Sequence, residues 1–292
     1  MDVATIRAIA SLAVLMAFAS AGVFAQGDVA APSKVSIAFI AYQNPEQLVE
    51  DVKPVAAYLE RELGVKVEYH IATNYAAIVE ALRGETADIG FMGPLQYIIA
   101  HQQSGAYPIL GELYNGKATY VSRIFVRKDS GIAKLEDLRG KSIAFADPIS
   151  SSGYLYPLNT FKEAGLVNDA PEKFFKKMFF AGGDEQAMRA VFNKFVDAAG
   201  IGEFSYSLLR PEERDEVTYI AESRPLPSHC VVARKGLHGP TAEAIQSALL
   251  KIADGPDKDL LKYLYGVSGY VKVTHETYAE VEKIAREYDL IK

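Results

Sequence analysis

Residues 141–157, KSIAFADPISSSGYLYP, decide the fold. Residues 142–146 form an apolar run dense enough in Ile and Phe for a buried strand, Asp147 and Pro148 stop it, and Ser150, Ser151, Ser152 and Gly153 follow. Residues 154–164 then read as a helix. A strand, a serine-rich turn and a helix in succession gather small hydroxyls, free backbone N–H groups and the positive end of a helix dipole, with no bulky side chain among them. Such a turn can receive an anion. A serine run can equally be an N-cap followed by a polar loop, so the surrounding chain has to decide.

The same four letters occur earlier. Ser36-Ile37-Ala38-Phe39 returns as Ser142-Ile143-Ala144-Phe145, at an offset of 142 minus 36, or 106. EALRGETADIGFMG, beginning at Glu80, is echoed by RAVFNKFVDAAGIG, beginning at Arg189, and Asp88 and Asp197 lie 109 residues apart (197 minus 88). Two matches at nearly one offset point to duplicated α/β lobes. In the first lobe, 34–41 is a buried strand, and Leu48, Val52, Val55, Leu59 and Leu63 mark an amphipathic helix in which Pro54 belongs near the start or at a kink. Residues 65–71 alternate as a strand, Thr73-Asn74-Tyr75 leads into a helix at 76–82, and a strand at 87–92 breaks at Gly93-Pro94 before a helix at 95–103. Residues 119–128 (TYVSRIFVRK) and 229–235 (HCVVARK) are extended and would join the lobes as a hinge, leaving a cleft for ligand. Helices are expected at 241–253, 257–265 and 275–288, and Phe174, Phe175, Phe179 and Phe180 read as core or strand residues.

The 292 residues are 49% hydrophobic and 23% charged, enough for real cores. A net charge of -6 with no basic run argues against nucleic acid or an anionic membrane as partner, so an anion must be bound locally. Residues 1–25 read as a signal peptide: Arg7, an apolar core at 9–18, small residues at 19–22, and a cleavage site at Val23-Phe24-Ala25. The single cysteine, Cys230, allows no internal disulfide and reads as inert. There is no Gly-x-Ser-x-Gly, His-Glu-x-x-His, Walker or dinucleotide motif, and the five histidines are scattered. No catalytic residue, metal site or cofactor is expected.

Five segments stand together in this chain: Thr73-Asn74-Tyr75-Ala76 with Glu80-Ala81-Leu82, Asp88-Ile89 with Gly93-Pro94 and Tyr97, Val126-Arg127-Lys128-Asp129-Ser130-Gly131-Ile132, the LEDLRG run at 135–140, and Asp147-Pro148 through Gly153-Tyr154. Together they resemble the periplasmic substrate-binding proteins of phosphonate, phosphite and phosphate ABC transporters. The resemblance implies a two-lobed type II periplasmic-binding α/β fold with a central cleft and two hinge strands. Lobe 1 would comprise 34–122 and 229–292, and lobe 2 would be 123–228. It implies a soluble exported receptor, expected as a monomer, that delivers a small anion to an ABC permease. A receptor docking on a membrane sensor, or one for a different small anion, is the alternative.

Carried over position by position, the resemblance makes Ser150, Ser151, Ser152 and Gly153 the oxyanion turn, with Tyr75 and Tyr120 donating from the opposite lobe. Either tyrosine could also be a packing residue. Tyr42, Gln43, Tyr97, Glu203 and His229 are expected along the cleft wall, His229 alternatively as a structural histidine. Where many members carry a histidine contact this chain has Asp184, whose carboxylate would accept from a protonated P–OH, or else cap a helix beginning near Glu185. Only Glu203 stands near the acidic positions of aminoalkylphosphonate binders, one residue out of place, so an aminoalkyl ligand is not implied.

Overall fold

A computed structural model describes residues 32–40, 45–168, 170–237 and 239–292. The expected leader, Tyr42 and Gln43 lie outside the described residues. The first lobe begins β1 (Lys34–Ile40), α1 (Pro45–Leu63), β2 (Lys66–Ala72), α2 (Tyr75–Arg83), β3 (Ile89–Met92), α3 (Pro94–Ser104) and β4 (Tyr107–Leu113). The chain crosses over through β5 (Thr119–Tyr120) into β6 (Ser122–Arg127), β7 (Ser142–Phe145), α4 (Tyr156–Glu163), β8 (Lys177–Phe180), α5 (Asp184–Phe192), β9 (Ala198–Gly202), α6 (Pro211–Arg214) and β10 (Val217–Glu222). It returns through β11 (Leu226–Pro227) to β12 (Cys230–Ala233), α7 (Pro240–Ile252), β13 (Gly269–Val271) and α8 (Ala279–Glu287).

Two mixed sheets result, ordered β13-β4-β12-β3-β1-β2 and β10-β6-β9-β7-β8. Each has the same plan: β1 lies parallel between β2 and β3, as β7 lies between β8 and β9. In each, the strand that has just crossed from the other lobe runs antiparallel beside the third, β12 against β3 and β6 against β9. The fold is therefore a two-lobed α/β architecture of the type II binding-protein kind, each sheet covered on both faces. Val35, Phe39, Val52 and Leu59 pack with α7 residues on one face of the first sheet, and Ile78, Leu95, Ile98 and Ile284 cover the other. Phe145, Leu158, Phe161, Phe174 and Phe175 fill one face of the second sheet, and Met188 and Val191 of α5 the other. Burial on both faces is why β1 and β7 are continuous apolar runs rather than alternating ones.

The repeated letters have a structural basis. Asp88 accepts the Ser36 N–H at 2.9 Å and Asp197 accepts the Ser142 N–H at 2.8 Å, in both cases fastening the start of the first strand to the turn before the third.

Three local expectations need correction. Pro54 stands in the middle of α1, on a half-exposed face where water can satisfy the Glu50 carbonyl that loses its partner. Residues 229–235 are not a hinge: β12 is an interior strand of the first sheet, and the return crossing is β11, whose Leu226 and Pro227 pair with Tyr120 and Thr119 of β5. The expected helix at 257–265 is a short 3-10 stretch, Lys258–Tyr263, because Gly255-Pro256 and Gly266 confine it. Phe174 and Phe175 are core residues, and Phe179 and Phe180 are strand residues of β8, with Phe180 half exposed at its end.

Candidate functional site

Parallel strands that feed helices leave the helix N-termini at one edge, outside the strands' carboxyl ends, and a ligand there meets backbone N–H groups first. In this chain β2, β3, β7 and β8 lead to the starts of α2, α3, the serine turn and α5, and these starts line one cavity of about 260 Å3. The lining includes Tyr75, Tyr120, Ser150, Ser151, Ser152 and Asp184, contributed from both lobes. Its size is near the lower end for ligand pockets, suited to a few heavy atoms.

The serine turn is built so that its hydroxyls can donate. Residues Ser151–Leu155 form one π-helical turn, closed by the Leu155 N–H to the Ser150 carbonyl at 3.1 Å, before α4 begins. Ser150 Oγ accepts the Gly153 N–H at 3.0 Å, and Ser151 Oγ accepts the Leu95 N–H at 2.8 Å. With oxygen lone pairs used inside the protein, both hydroxyl hydrogens remain to be directed at the cavity. The Ser151 and Ser152 N–H groups precede the first bond of the turn, so they have no acceptor within the helix. The crossover steadies the turn, since Ser122 Oγ donates to the Ser152 carbonyl at 2.7 Å. Gly153 lies outside the cavity lining. Its role is space: a Cβ there would come within 2.5 Å of the Ala146 Cβ and 2.7 Å of Ser150 Oγ.

Asp184 opens α5, but its carboxylate faces the cavity, and the helix cap is Gly183. Oδ2 accepts from the Tyr75 hydroxyl at 3.2 Å, and Oδ1 from the Gly202 N–H at 3.2 Å and Ser205 Oγ at 3.4 Å. Burial raises its pKa, and the three donors only partly offset that. The carboxylate thus turns into the cleft, where Tyr75, Gly202 and Ser205 hold it. Tyr75 and Tyr120 are buried, and burial pushes both phenols up, so they remain protonated donors.

The wall residues divide. His229 lines the cavity, its Nδ1 2.9 Å from the Tyr114 hydroxyl and its Nε2 3.3 Å from the Tyr120 hydroxyl. Burial lowers its pKa to about 4, so it is neutral at pH 7. Tyr97 is not on the wall: it is buried in the first-lobe core, with its hydroxyl 2.7 Å from His275 Nδ1. Glu203 also misses it, because its carboxylate turns back to the crossover, accepting the Val121 N–H at 3.2 Å and pairing with Arg123 at 3.4 Å. Sequence reasoning overlooked Tyr114 and Phe204, whose rings lie 4.6 Å apart at the cavity edge. A signal existed for Tyr114: the following Asn115 and Gly116 both take positive φ in a two-residue turn, which the Asn-Gly pair announces.

Among the described residues no Lys or Arg lines the cavity, and no cluster of His, Cys, Asp and Glu could hold a metal ion. Nor is any described helix long and apolar enough to cross a membrane. Two lobes, crossover strands and a cavity of hydroxyl and N–H donors define a solute-binding protein of the type II class. Residues 37–278 match the family model described as ABC transporter, phosphonate, periplasmic substrate-binding protein, and the chain belongs to that family.

Among curated relatives, the phosphate-import protein PhnD of Mycolicibacterium smegmatis is 32% identical over 174 residues, 57% of this chain and 54% of that protein. The alignment thus spans about half of that relative's length. The phosphonates-binding periplasmic protein of Escherichia coli is 29% identical over 233 residues, covering 77% of this chain and 68% of that one. Among solved structures, PhnD1 from Prochlorococcus marinus in complex with methylphosphonate superposes with a TM-score of 0.79 at 21% identity, covering 89% of this chain and all of that one. At that identity the likeness concerns the fold.

Proposed function

We propose that this chain is the periplasmic solute receptor of an ABC importer and that its cavity takes a small phosphorus oxyanion of the phosphonate, phosphite or phosphate type. The observation that carries the reading is the serine turn facing Tyr75, Tyr120 and Asp184 across one small cavity. An anion there would exchange its hydration for N–H groups, hydroxyls and helix dipoles, donors already fixed by the fold. Asp184 sharpens the choice. A carboxylate repels a fully ionised ligand but accepts from a P–OH, so the cavity favours an oxyanion that keeps a proton near neutral pH, and disfavours sulfate, which does not.

Lobe 1, residues 34–122 with 229–292, and lobe 2, residues 123–228, would close about the β5–β11 crossover, the ligand favouring the closed state only by its contacts to both lobes. The closed form would then dock on the permease. Binding rather than catalysis is supported by the orientation of His229, whose nitrogens face Tyr114 and Tyr120, and by the burial of Cys230, which pushes its thiol pKa up. Titration calorimetry against phosphite, methylphosphonate, phosphate and small carboxylates tests the reading. One-to-one binding of a phosphorus oxyanion supports it. Binding only of carboxylates, or of none of them, overturns it.

A further inference from the structure

A line of hydrogen bonds runs from the cavity into the floor of the first lobe. Glu112 on β4 is 0% exposed, and its Oε2 lies 2.5 Å from the Tyr114 hydroxyl. The Tyr114 hydroxyl lies 2.9 Å from His229 Nδ1, His229 Nε2 lies 3.3 Å from the Tyr120 hydroxyl, and Ser152 hydrogen-bonds the Tyr120 phenol at the cavity. The other carboxyl oxygen, Glu112 Oε1, is buried with no hydrogen-bond partner. A carboxylate held in this way is costly to keep ionised.

We propose that Glu112 is a positioning residue that sets which way the Tyr120 hydroxyl points, through a four-membered proton relay of Glu112, Tyr114, His229 and Tyr120. The ligand contact in this inference rests on reading the cavity as an anion receptor.

Each member has few hydrogens to give, so the charge on Glu112 fixes them all. If Glu112 is ionised it can only accept, and Tyr114 spends its one hydrogen on it. The neutral imidazole must then donate from Nδ1 to Tyr114, which leaves Nε2 bare, and Tyr120 donates its hydrogen to Nε2. Tyr120 therefore shows the cavity only lone pairs, which repel an anion. When a proton enters at the cavity end, every hydrogen shifts one bond inward. The Tyr120 hydrogen passes to Nε2, the Nδ1 hydrogen to Tyr114, and the Tyr114 hydrogen to Glu112. Tyr120 keeps the incoming proton and aims it at the cavity. One proton is taken up, none is lost, and His229 is neutral at both ends of the process.

The surroundings suit this exchange. Among the described residues, the titratable groups that interact with Glu112 are Tyr114, His229, Tyr265, Tyr270, Cys230 and Tyr278, with Tyr120 farther along, and none of them is a cation at neutral pH. Burial pushes the Glu112 pKa up to about 7, while it holds His229 down near 4, so the carboxyl takes the proton and the imidazole does not. Bulk solvent supplies it through the open side of the cavity, and the ligand keeps its own proton.

The test needs no ligand. Nitrogen-15 NMR of the histidine rings in the unliganded protein, with the His229 signals assigned by His229→Asn, reports which ring nitrogen carries hydrogen. Between pH 5.5 and 9 the wild type should pass from the Nε2–H tautomer at low pH to the Nδ1–H tautomer at high pH. Glu112→Gln, which cannot titrate, should hold one tautomer throughout. Tyr114→Phe, which cuts the relay while keeping the ring, should do the same and serves if Glu112→Gln fails to fold. A single tautomer across the range in the wild type, a doubly protonated ring above pH 5.5, or an unchanged transition in the variants would overturn the relay. If the transition is seen but phosphite, methylphosphonate and phosphate all fail to bind, the relay stands and the anion-receptor reading falls.

Discussion

The Tyr75 hydroxyl donates to Asp184 Oδ2 at 3.2 Å, and the two residues open helices that follow strands of different sheets. The hydrogen bond thus crosses the cleft. It places a carboxylate that is held by a phenol, a backbone N–H and a serine hydroxyl where a ligand must arrive. Tyr75→Phe should remove one of three donors and leave Asp184 less restrained. A ligand entering between them can take the phenol's hydrogen in place of Asp184, and losing that bond to a charged group should weaken binding roughly ten- to a hundred-fold in Kd by calorimetry. An unchanged Kd would make Tyr75 a packing residue.

The hydroxyls of Ser152 and Ser151 should differ, the first acting on the ligand alone and the second on both ligand and fold. Ser152→Ala is expected to weaken oxyanion binding by roughly ten- to a hundred-fold with little change in Tm. Ser151→Ala should do both, because it also deprives the buried Leu95 N–H of its acceptor. Equal effects on Tm in the two variants would contradict this division.

Gly153 is predicted to matter through space alone. Gly153→Ala pushes a methyl group against Ala146 and Ser150, and overpacking of this kind costs about 1–3 kcal/mol. Thermal unfolding should show that loss, with weaker binding beside it as the serine turn shifts. A variant with wild-type Tm would show that the turn can yield.

The repeated aspartates give a pH signature. Burial acts to raise the Asp197 pKa, but the Ser142 N–H and hydroxyl, with Lys141 and Lys176, outweigh it and hold the carboxyl below its usual 3.8. A pKa depressed by folding contributes stability that is complete above the unfolded value and is lost as pH falls through the folded one. Asp197→Ala should therefore be less stable than wild type at pH 7, by about 1–3 kcal/mol. The gap should narrow only below about pH 4. A gap independent of pH down to pH 2 would assign the effect to packing.

What the sequence disclosed and what it hid follow from the range of the interactions. The strand, serine turn and helix at 141–157 and the duplicate at 36–39 were legible because apolar runs and turn residues are local signals. The Asp88 and Asp197 echo is visible as letters, and its cause, a carboxylate fastening the first strand, exists only in the folded chain. Tyr97 and Glu203 misled for one reason: position along the chain does not say which way a side chain turns. Tyr97 found His275, 178 residues away, and Glu203 found Arg123. Glu112 was missed because a single acidic residue inside an apolar strand carries no pattern. Only its burial beside Tyr114 and His229 gives it meaning.

The most direct measurement compares wild type and Asp184→Asn across pH with a phosphorus oxyanion and with sulfate. If Asp184 reads the ligand's proton, wild-type affinity should fall about tenfold per pH unit above the ligand's own titration, and sulfate should bind far more weakly. Asp184→Asn keeps the size and an acceptor but removes the negative charge, so its pH profile should flatten and sulfate should gain. Superimposable profiles, with sulfate treated alike by both proteins, would contradict the account.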